Sequence, residues 1–400
     1  MQTNLPQAFK ETRHGKRADE ILRSCVHCGL CNATCPTYQV LGDELDGPRG
    51  RIYLIKEMLE AQEADVVVQT HLDRCLTCRA CEPACPSGVA YGELLEIGRD
   101  FLEEHGRRGL IDSIMRRWLV SVVPDVARFK RWSGLGRPFR WMLPRSVREQ
   151  LPRRNPATPQ AFDTRERQVL VLQGCVQRAI TPEVNTSLAA LLDSRGIEVV
   201  YDDEESCCGS LSLHLGNASE TRSALHKNID ALLPILDDVE AVISTASGCG
   251  VTLKDYPRLL ADDENYFPMA CRVAEKVVDV SEYLSQLGLE WDKMADYQRV
   301  AWHAPCTLQH GQGITGTVER LLRDAGYELV GVKDSHICCG SAGTYSLLQP
   351  ELARTLRSQK LEALCEEAPD VIATANVGCQ THLANGDKNV PVVHWLELLR

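Results

Sequence analysis

No run of about 18 apolar residues, the length a helix needs to cross a bilayer, occurs in the 400-residue sequence, so no membrane span is expected. The opening residues, MQTNLPQAFKETRHGKRADE, have no apolar h-region, which argues against a secretory signal and for a cytosolic chain. No G-x-G-x-x-G opens a strand–helix unit, so no flavin or nicotinamide is expected in this chain; GQGITG at 311–316 has the wrong spacing. An excess of positive charge is missing too. The formal charge of −11 argues against nucleic acid as a partner, because phosphate binding needs a basic face. What is left, at 44% hydrophobic and 25% charged, is an ordinary globular composition with length for two or three domains.

Cysteine is the residue in excess, with 18 copies. Where thiols are kept reduced, such density points to metal or redox chemistry rather than to disulfides. Eight of them fall in two runs of one form, C-x2-C-x2-C-x3-C-P: "CVHCGLCNATCP" at 25–36 and "CLTCRACEPACP" at 75–86. Three thiols at three-residue steps can wrap one face of a cuboidal cluster, and the fourth leads away from it. Structural zinc is the alternative, but zinc sites pair two C-x2-4-C knuckles around one ion, a different spacing. Pro36 and Pro86 fix φ where the chain turns away. Between the runs, Gly47 and Pro48 mark a turn, and Ile52, Leu54, Ile55, Met58 and Leu59 follow at helical spacing. That reads as a packing helix. Arg49, Arg51, Arg74 and Arg79 are placed to offset negative cluster charge.

Residues 20–100 resemble the two-cluster ferredoxins. In that family the fourth cysteine of each run serves the cluster held by the other run. The resemblance implies two [4Fe–4S] clusters, one on Cys25, Cys28, Cys31 and Cys85 and the other on Cys35, Cys75, Cys78 and Cys81.

The second half repeats itself. Cys175, Cys207–Cys208 and Cys249 recur as Cys306, Cys338–Cys339 and Cys379, at offsets of 131, 131 and 130 residues. A fixed period of that kind signals duplication. "RQVLVLQGC" and "RVAWHAPC" read as buried strands, "NTSLAALLDSRG" and "TVERLLRDAG" as helices ending at glycine. "IEVVYDD" and "YELVGVKD" follow as strands, then "AVISTASGC" and "DVIATANVGC" as third strands that end at a cysteine. Strand–helix–strand alternation implies a parallel sheet, with the four cysteines of each copy at one end of it. His303, His336 and His382 lie near these cysteines; a packed or exposed histidine is the commoner outcome. Cys271 and Cys365 fall outside the pattern and read as ordinary buried thiols.

These halves resemble the cysteine-rich CCG domains of the heterodisulfide reductases and of the iron–sulfur subunits of several flavin dehydrogenases. That family's last element is usually C-x-x-C, and here Ala246 and Asn376 hold the first of those positions, leaving four thiols per copy where the fullest pattern has five. Four suffice for a further cluster in each copy, on Cys175, Cys207, Cys208 and Cys249 and on Cys306, Cys338, Cys339 and Cys379, or for zinc, or the sites are degenerate.

Residues 106–155 hold 13 Lys or Arg and 3 acids, a net of +10, with Trp118, Trp132 and Trp141. Cations with interfacial aromatics suit anionic lipid or an acidic partner; a solvated linker is the alternative.

Two ferredoxin runs followed by two CCG repeats are similar to the iron–sulfur subunits of glycolate oxidase, anaerobic glycerol-3-phosphate dehydrogenase and lactate-utilisation complexes. Within that group "CVHCGLCNATCPTYQVLGDELDGPRGRIYLIKEMLE" is most similar to the glycolate oxidase (glycolate dehydrogenase) iron–sulfur subunits, and the similarity covers essentially all 400 residues. The fold this implies is α/β: an α-helical two-cluster ferredoxin-type domain (1–105), the basic bridge (106–165), and a duplicated α/β cysteine-rich domain (166–295 and 296–400). The resemblance implies an electron-relay subunit of an oxidoreductase complex, with no catalytic residue of its own. Its partners are FAD-containing subunits that oxidise glycolate to glyoxylate, and the quinone pool or another membrane acceptor takes the electrons. Peripheral contact with the cytoplasmic face of the bacterial inner membrane through 106–155 goes with it. The rival readings are a thiol/disulfide reductase of the heterodisulfide reductase type and the equivalent subunit of a lactate or glycerol-3-phosphate dehydrogenase.

Overall fold

Two parallel sheets with the same strand order carry the second half of the chain. In the first, β1 (Arg167–Leu172), β2 (Ile197–Val200), β3 (Val242–Ser244) and β4 (Val277–Asp279) run in the order β2-β1-β3-β4. In the second, β5 (Arg299–His303), β6 (Glu328–Leu329), β7 (Val371–Thr374) and β8 (Val392–His394) run β6-β5-β7-β8. The structure is a computed structural model that describes residues 1–136, 166–202, 204–294, 296–386 and 389–400. The central strands β3 and β7 are buried throughout, as expected of apolar runs covered on both faces.

The duplication is deeper than three strands per copy. Each sheet gains a fourth strand, "VVD" and "VVH", and each is followed at once by a capping box, Asp279 with Glu282 and His394 with Glu397. The third strands are shorter than their sequence suggests. β3 and β7 stop at Ser244 and Thr374, and Cys249 and Cys379 lie in the helices Ser247–Lys254 and Val377–Ala384 instead of at strand ends. In the second copy the switch has a local cause, because Asn376 Oδ1 accepts from Gly378 N at 2.9 Å and starts the helix.

The two sheets share one core, to which Val169, Leu188 and Ile243 contribute from the first copy and Val300, Trp302 and Trp395 from the second. Backbone and side-chain bonds cross between the copies: Ser247 N donates to Ala375 O at 3.2 Å, and His394 Nε2 lies 3.0 Å from Thr245 O.

The N-terminal region is helical. Helices Arg13–Ser24, Pro48–Ala61, Val66–Asp73 and Tyr91–His105 bury Leu22, Ile55, Leu59, Leu72, Leu94 and Leu95 completely. Pro48 opens its helix where no backbone donor is needed, and Gly50 is required behind it, since a Cβ there would lie 2.1 Å from Glu44 O. Ion pairs Arg258–Glu96 (2.8 Å) and Arg13–Asp262 (2.8 Å) bind this region to the first repeat. Tyr345 of the second repeat donates to Arg74 O at 3.1 Å.

Of the basic bridge, helices Leu110–Val122 and Val126–Gly136 are described, and residues 137–165, with Trp141, lie outside the described residues. Two of its arginines face inward. Arg108 and Arg116, 6% and 11% exposed, pair with Asp73 at 2.7 and 3.0 Å. The outer face of the helix shows Leu110, Ile111, Ile114, Met115 and Trp118 to solvent.

Candidate metal centres

The two cysteine runs fold into loops of one shape. His27 and Gly29 in the first, and Thr77 and Arg79 in the second, take the left-handed conformation at matching positions, with φ of 56°, 81°, 54° and 60°. Non-glycine residues pay for that conformation with local strain, which persists where the surroundings enforce it. The effect is to curl the chain between successive cysteines so that Cys25, Cys28 and Cys31 line one cavity and Cys75, Cys78 and Cys81 another.

Cys25, Cys28, Cys31 and Cys85 line one cavity of about 420 Å³ together with Cys81, His27 and Arg49. Cys35, Cys75, Cys78 and Cys81 line a second of about 290 Å³ with Thr37, Arg51 and Tyr91. Cys81 borders both. None of the 18 cysteines, all of them among the described residues, is in a disulfide. Burial pushes the Cys31 thiol up to about 11 and Cys81 well above its ordinary value, so both hold their protons until a metal displaces them. Soft donors gathered on two cavities, four of the eight buried and Cys28 exposed, fit iron–sulfur groups.

The charges around the two cavities differ. Arg51 is 1% exposed and Asp46 0% exposed. Arg51 donates to Asp46 Oδ1 (3.3 Å), Thr37 Oγ1 (3.1 Å) and His71 O (2.7 Å), and reaches Cys35 Sγ at 3.9 Å. Asp46 also accepts from Arg74 at 2.9 Å and lies 3.0 Å from His71 Nδ1. One buried carboxylate is thus shared by two guanidiniums, leaving net positive charge behind Cys35. Tyr91 OH donates to Cys75 Sγ at 3.5 Å. By contrast Arg49 pairs with Glu44 at 2.6 Å and Arg79 with Glu82 at 2.7 Å. Of the four arginines named from sequence, Arg51 is the one found against a cysteine sulfur. Asp46, Thr37, His71 and Tyr91 carried no sequence signal beyond their nearness to the runs.

In the first repeat Cys175 and Cys207 stand 3.6 Å apart, Cys207 contacts Cys208, and Cys208 contacts Cys249. A cavity of about 280 Å³ opens beside them, lined by Leu172, Glu205, Cys208 and Cys249. In the second, Cys306, Cys338, Cys339 and Cys379 form the same chain of sulfur contacts. Its Cys306 also touches Cys78 of the N-terminal region, a junction that no spacing rule foretells. Cys271 and Cys365 are half-buried rather than buried.

Ala246 and Asn376 stand where a fifth thiol would be. Ala246 is buried, and Asn376, besides capping its helix, donates to Ser247 Oγ at 3.2 Å across the repeats. The histidines part ways. His303 is 2% exposed, and burial pushes it down to about 3, so it is neutral. His382 Nε2 lies 3.1 Å from Ala353 O, and the His336 carbonyl, 3.1 Å from His310 Nε2, is the part of that residue in use.

Comparison with known proteins agrees with this layout. Residues 21–89 match the 4Fe-4S dicluster domain, and residues 169–254 and 300–384 each match the cysteine-rich domain. The chain is 47% identical to the glycolate oxidase iron-sulfur subunit of Escherichia coli K12, across 100% of this chain and 98% of that protein. It is 31% identical to the probable glycolate oxidase iron-sulfur subunit of Bacillus subtilis 168, covering 99% of this chain and 96% of that protein. A crystal structure of a hypothetical protein from Helicobacter pylori shares the fold, with a TM-score of 0.56 at 9% identity, covering 98% of this chain and 72% of that one.

Proposed function

Because the chain belongs to the family of glycolate oxidase iron–sulfur subunits, we propose that it is the electron-relay subunit of a glycolate dehydrogenase complex, working beside FAD-containing subunits that oxidise glycolate to glyoxylate. The observation that carries this reading is the pair of cysteine-lined cavities, one bordered by five thiols and the other by four, with Cys81 on both. Cys25, Cys28, Cys31 and Cys85 hold one [4Fe–4S] group, and Cys35, Cys75, Cys78 and Cys81 hold the other. Such groups supply one-electron transfer, which a flavin can feed.

The protein's own residues set the two sites apart. Cys28 is exposed, and Val26 (68%) and Leu30 (57%) beside it are apolar and open to solvent, which makes this rim the face offered to a flavin subunit. The other site is roofed by the second repeat through Tyr345 and the Cys78–Cys306 contact, which leaves Cys75 buried and Cys78 half-buried. The cysteines of the repeats are further metal sites. The bridge helix Leu110–Val122, apolar outside and set in a basic stretch, settles on the anionic surface of the bacterial inner membrane, near a quinone acceptor. No described helix is long and apolar enough to cross a membrane.

Anaerobic purification from the native host tests the reading. A flavoprotein that co-purifies and reduces dye in the presence of glycolate is the expected result. Disulfide reduction by the isolated chain, with no flavoprotein attached, supports the thiol/disulfide reductase instead.

A further inference from the structure

The two repeats are chemically unequal. Aligned on Cys175 and Cys306, "VLVLQGC" and "VAWHAPC" place Leu172 opposite His303. Leu172 lines the first repeat's cavity beside Cys208 and Cys249 and offers no donor atom. His303 ends β5, and its Nδ1 lies 3.0 Å from Thr374 Oγ1 on the neighbouring β7. That bond fixes the ring's orientation, as a second partner does for ligating histidines.

The ring also lies against sulfur. His303, Cys339 and Cys379 offer ligand atoms that all lie within 4.8 Å of one another. Nε2 is buried and has no hydrogen-bond partner. A buried ring nitrogen without a partner is unfavourable, and metal ligation removes the penalty. Asn376, at the position of the missing fifth thiol, is engaged with Gly378 N and Ser247 Oγ, so it is not the donor.

We propose that His303 Nε2 is a metal ligand that joins Cys339 and Cys379 in a mixed nitrogen–sulfur centre of the second repeat, a centre that the first repeat cannot form. Two thiolates and one imidazole select a thiophilic metal, zinc or the iron of a cluster, over magnesium or calcium. The proposal rests on the repeat binding metal and stands apart from the substrate assigned to the complex.

The test uses the full chain prepared anaerobically, with His303→Ala and His303→Cys. Zinc and iron are counted per chain, and the ligand shell is read by X-ray absorption at the zinc edge and by pulsed EPR of the reduced protein. A nitrogen scatterer at about 2.0–2.1 Å at the zinc edge identifies zinc, and strongly coupled nitrogen in the EPR spectrum identifies iron. His303→Ala is expected to lose this nitrogen and the metal of one centre. His303→Cys is expected to keep the metal in an all-sulfur shell, and it decides the matter if the alanine variant does not fold. The reduced EPR signals of the N-terminal sites, unchanged, report folding. Equal metal content and an identical ligand shell in wild type and either folded variant overturn the proposal. Failure of glycolate-dependent dye reduction, with the nitrogen signature intact, counts against the relay reading alone.

Discussion

Arg51 shows what a single residue decides here. Its guanidinium is out of water and pairs with Asp46, a carboxylate that Arg74 also uses. Removing one member of a buried ion pair leaves the other uncompensated, at about 3–5 kcal/mol. Because Arg74 and His71 still face Asp46, Arg51→Met is expected to destabilise the chain by less than that in denaturant unfolding, and to lower the midpoint potential of the Cys35 site while leaving the Cys25 site in place. Equal shifts at both sites would show that the charge is not local. Asp100 gives a second residue-scale prediction. Burial, with Glu96 and Glu104 near it, pushes its carboxyl up from 3.8 to about 7. In the unfolded chain it ionises near 3.9. The folded state thus holds an extra proton between those values. The stability from this group is fully present below about pH 4 and is lost as pH rises through 7. Asp100→Asn is expected to raise stability at pH 8 by roughly 2–4 kcal/mol and to flatten the profile between pH 5 and 8. A variant profile as steep as the wild type's sinks this. The sixteen cysteines of the runs and repeats were legible from spacing alone, because thiols are rare and their chemistry demands a pattern. Asp46 and Tyr91 were not, since their roles come from burial that only the tertiary structure creates, and His303 stood out in the sequence only by its nearness to Cys306.

At the scale of elements, the helix Val377–Ala384 depends on Asn376 twice. Its Oδ1 caps the helix and its Nδ2 reaches Ser247 in the other repeat. Losing an N-cap costs about 1 kcal/mol, and a hydrogen bond about 0.5–1.5 kcal/mol. Asn376→Ala should lose roughly 1–3 kcal/mol in denaturant melts, and Asn376→Asp, which keeps the cap and drops the donor, should fall between. If Asp is as damaging as Ala, the cap is not the larger part. The same residue explains why the third strand is shorter than its sequence suggests. "DVIATANVGC" looks like one strand running to its cysteine, because every apolar residue in it suits a sheet. The capping side chain breaks the strand at Thr374, and the cysteine moves onto a helix. The fourth strands were hidden for a different reason. Each is three residues long, and "VVD" or "VVH" has too few alternations for period-two patterning to register.

Across the whole molecule, charge is unevenly placed. A chain of net −11 carries +10 in residues 106–155. The described part of that stretch sorts its cations by position. Arg108 and Arg116 are consumed by Asp73, Asp112 and Glu103, whereas Arg128, though paired with Asp125 at 3.2 Å, is 60% exposed. Beside these sit Leu110 at 77% and Ile111 at 81% exposure, with Trp118 and Trp132 packed edge to face at 6.0 Å. Water is a poor solvent for that face, and the remaining cations suit an anionic one. Either component alone binds weakly; apolar burial and charge attraction together give stable attachment. The membrane reading therefore makes a two-part prediction for flotation with anionic vesicles. Ile111→Glu with Ile114→Glu should abolish recovery in the floating fraction, and Arg128→Glu with Arg131→Glu should reduce it. Salt should weaken binding by the wild type, since contacts between exposed charges are screened beyond about 8 Å at physiological ionic strength. Iron content should be unchanged in every variant, because none of these residues lines a cysteine cavity. Recovery that is equal for all variants and indifferent to salt removes the lipid surface from the proposal and leaves this face to a partner subunit.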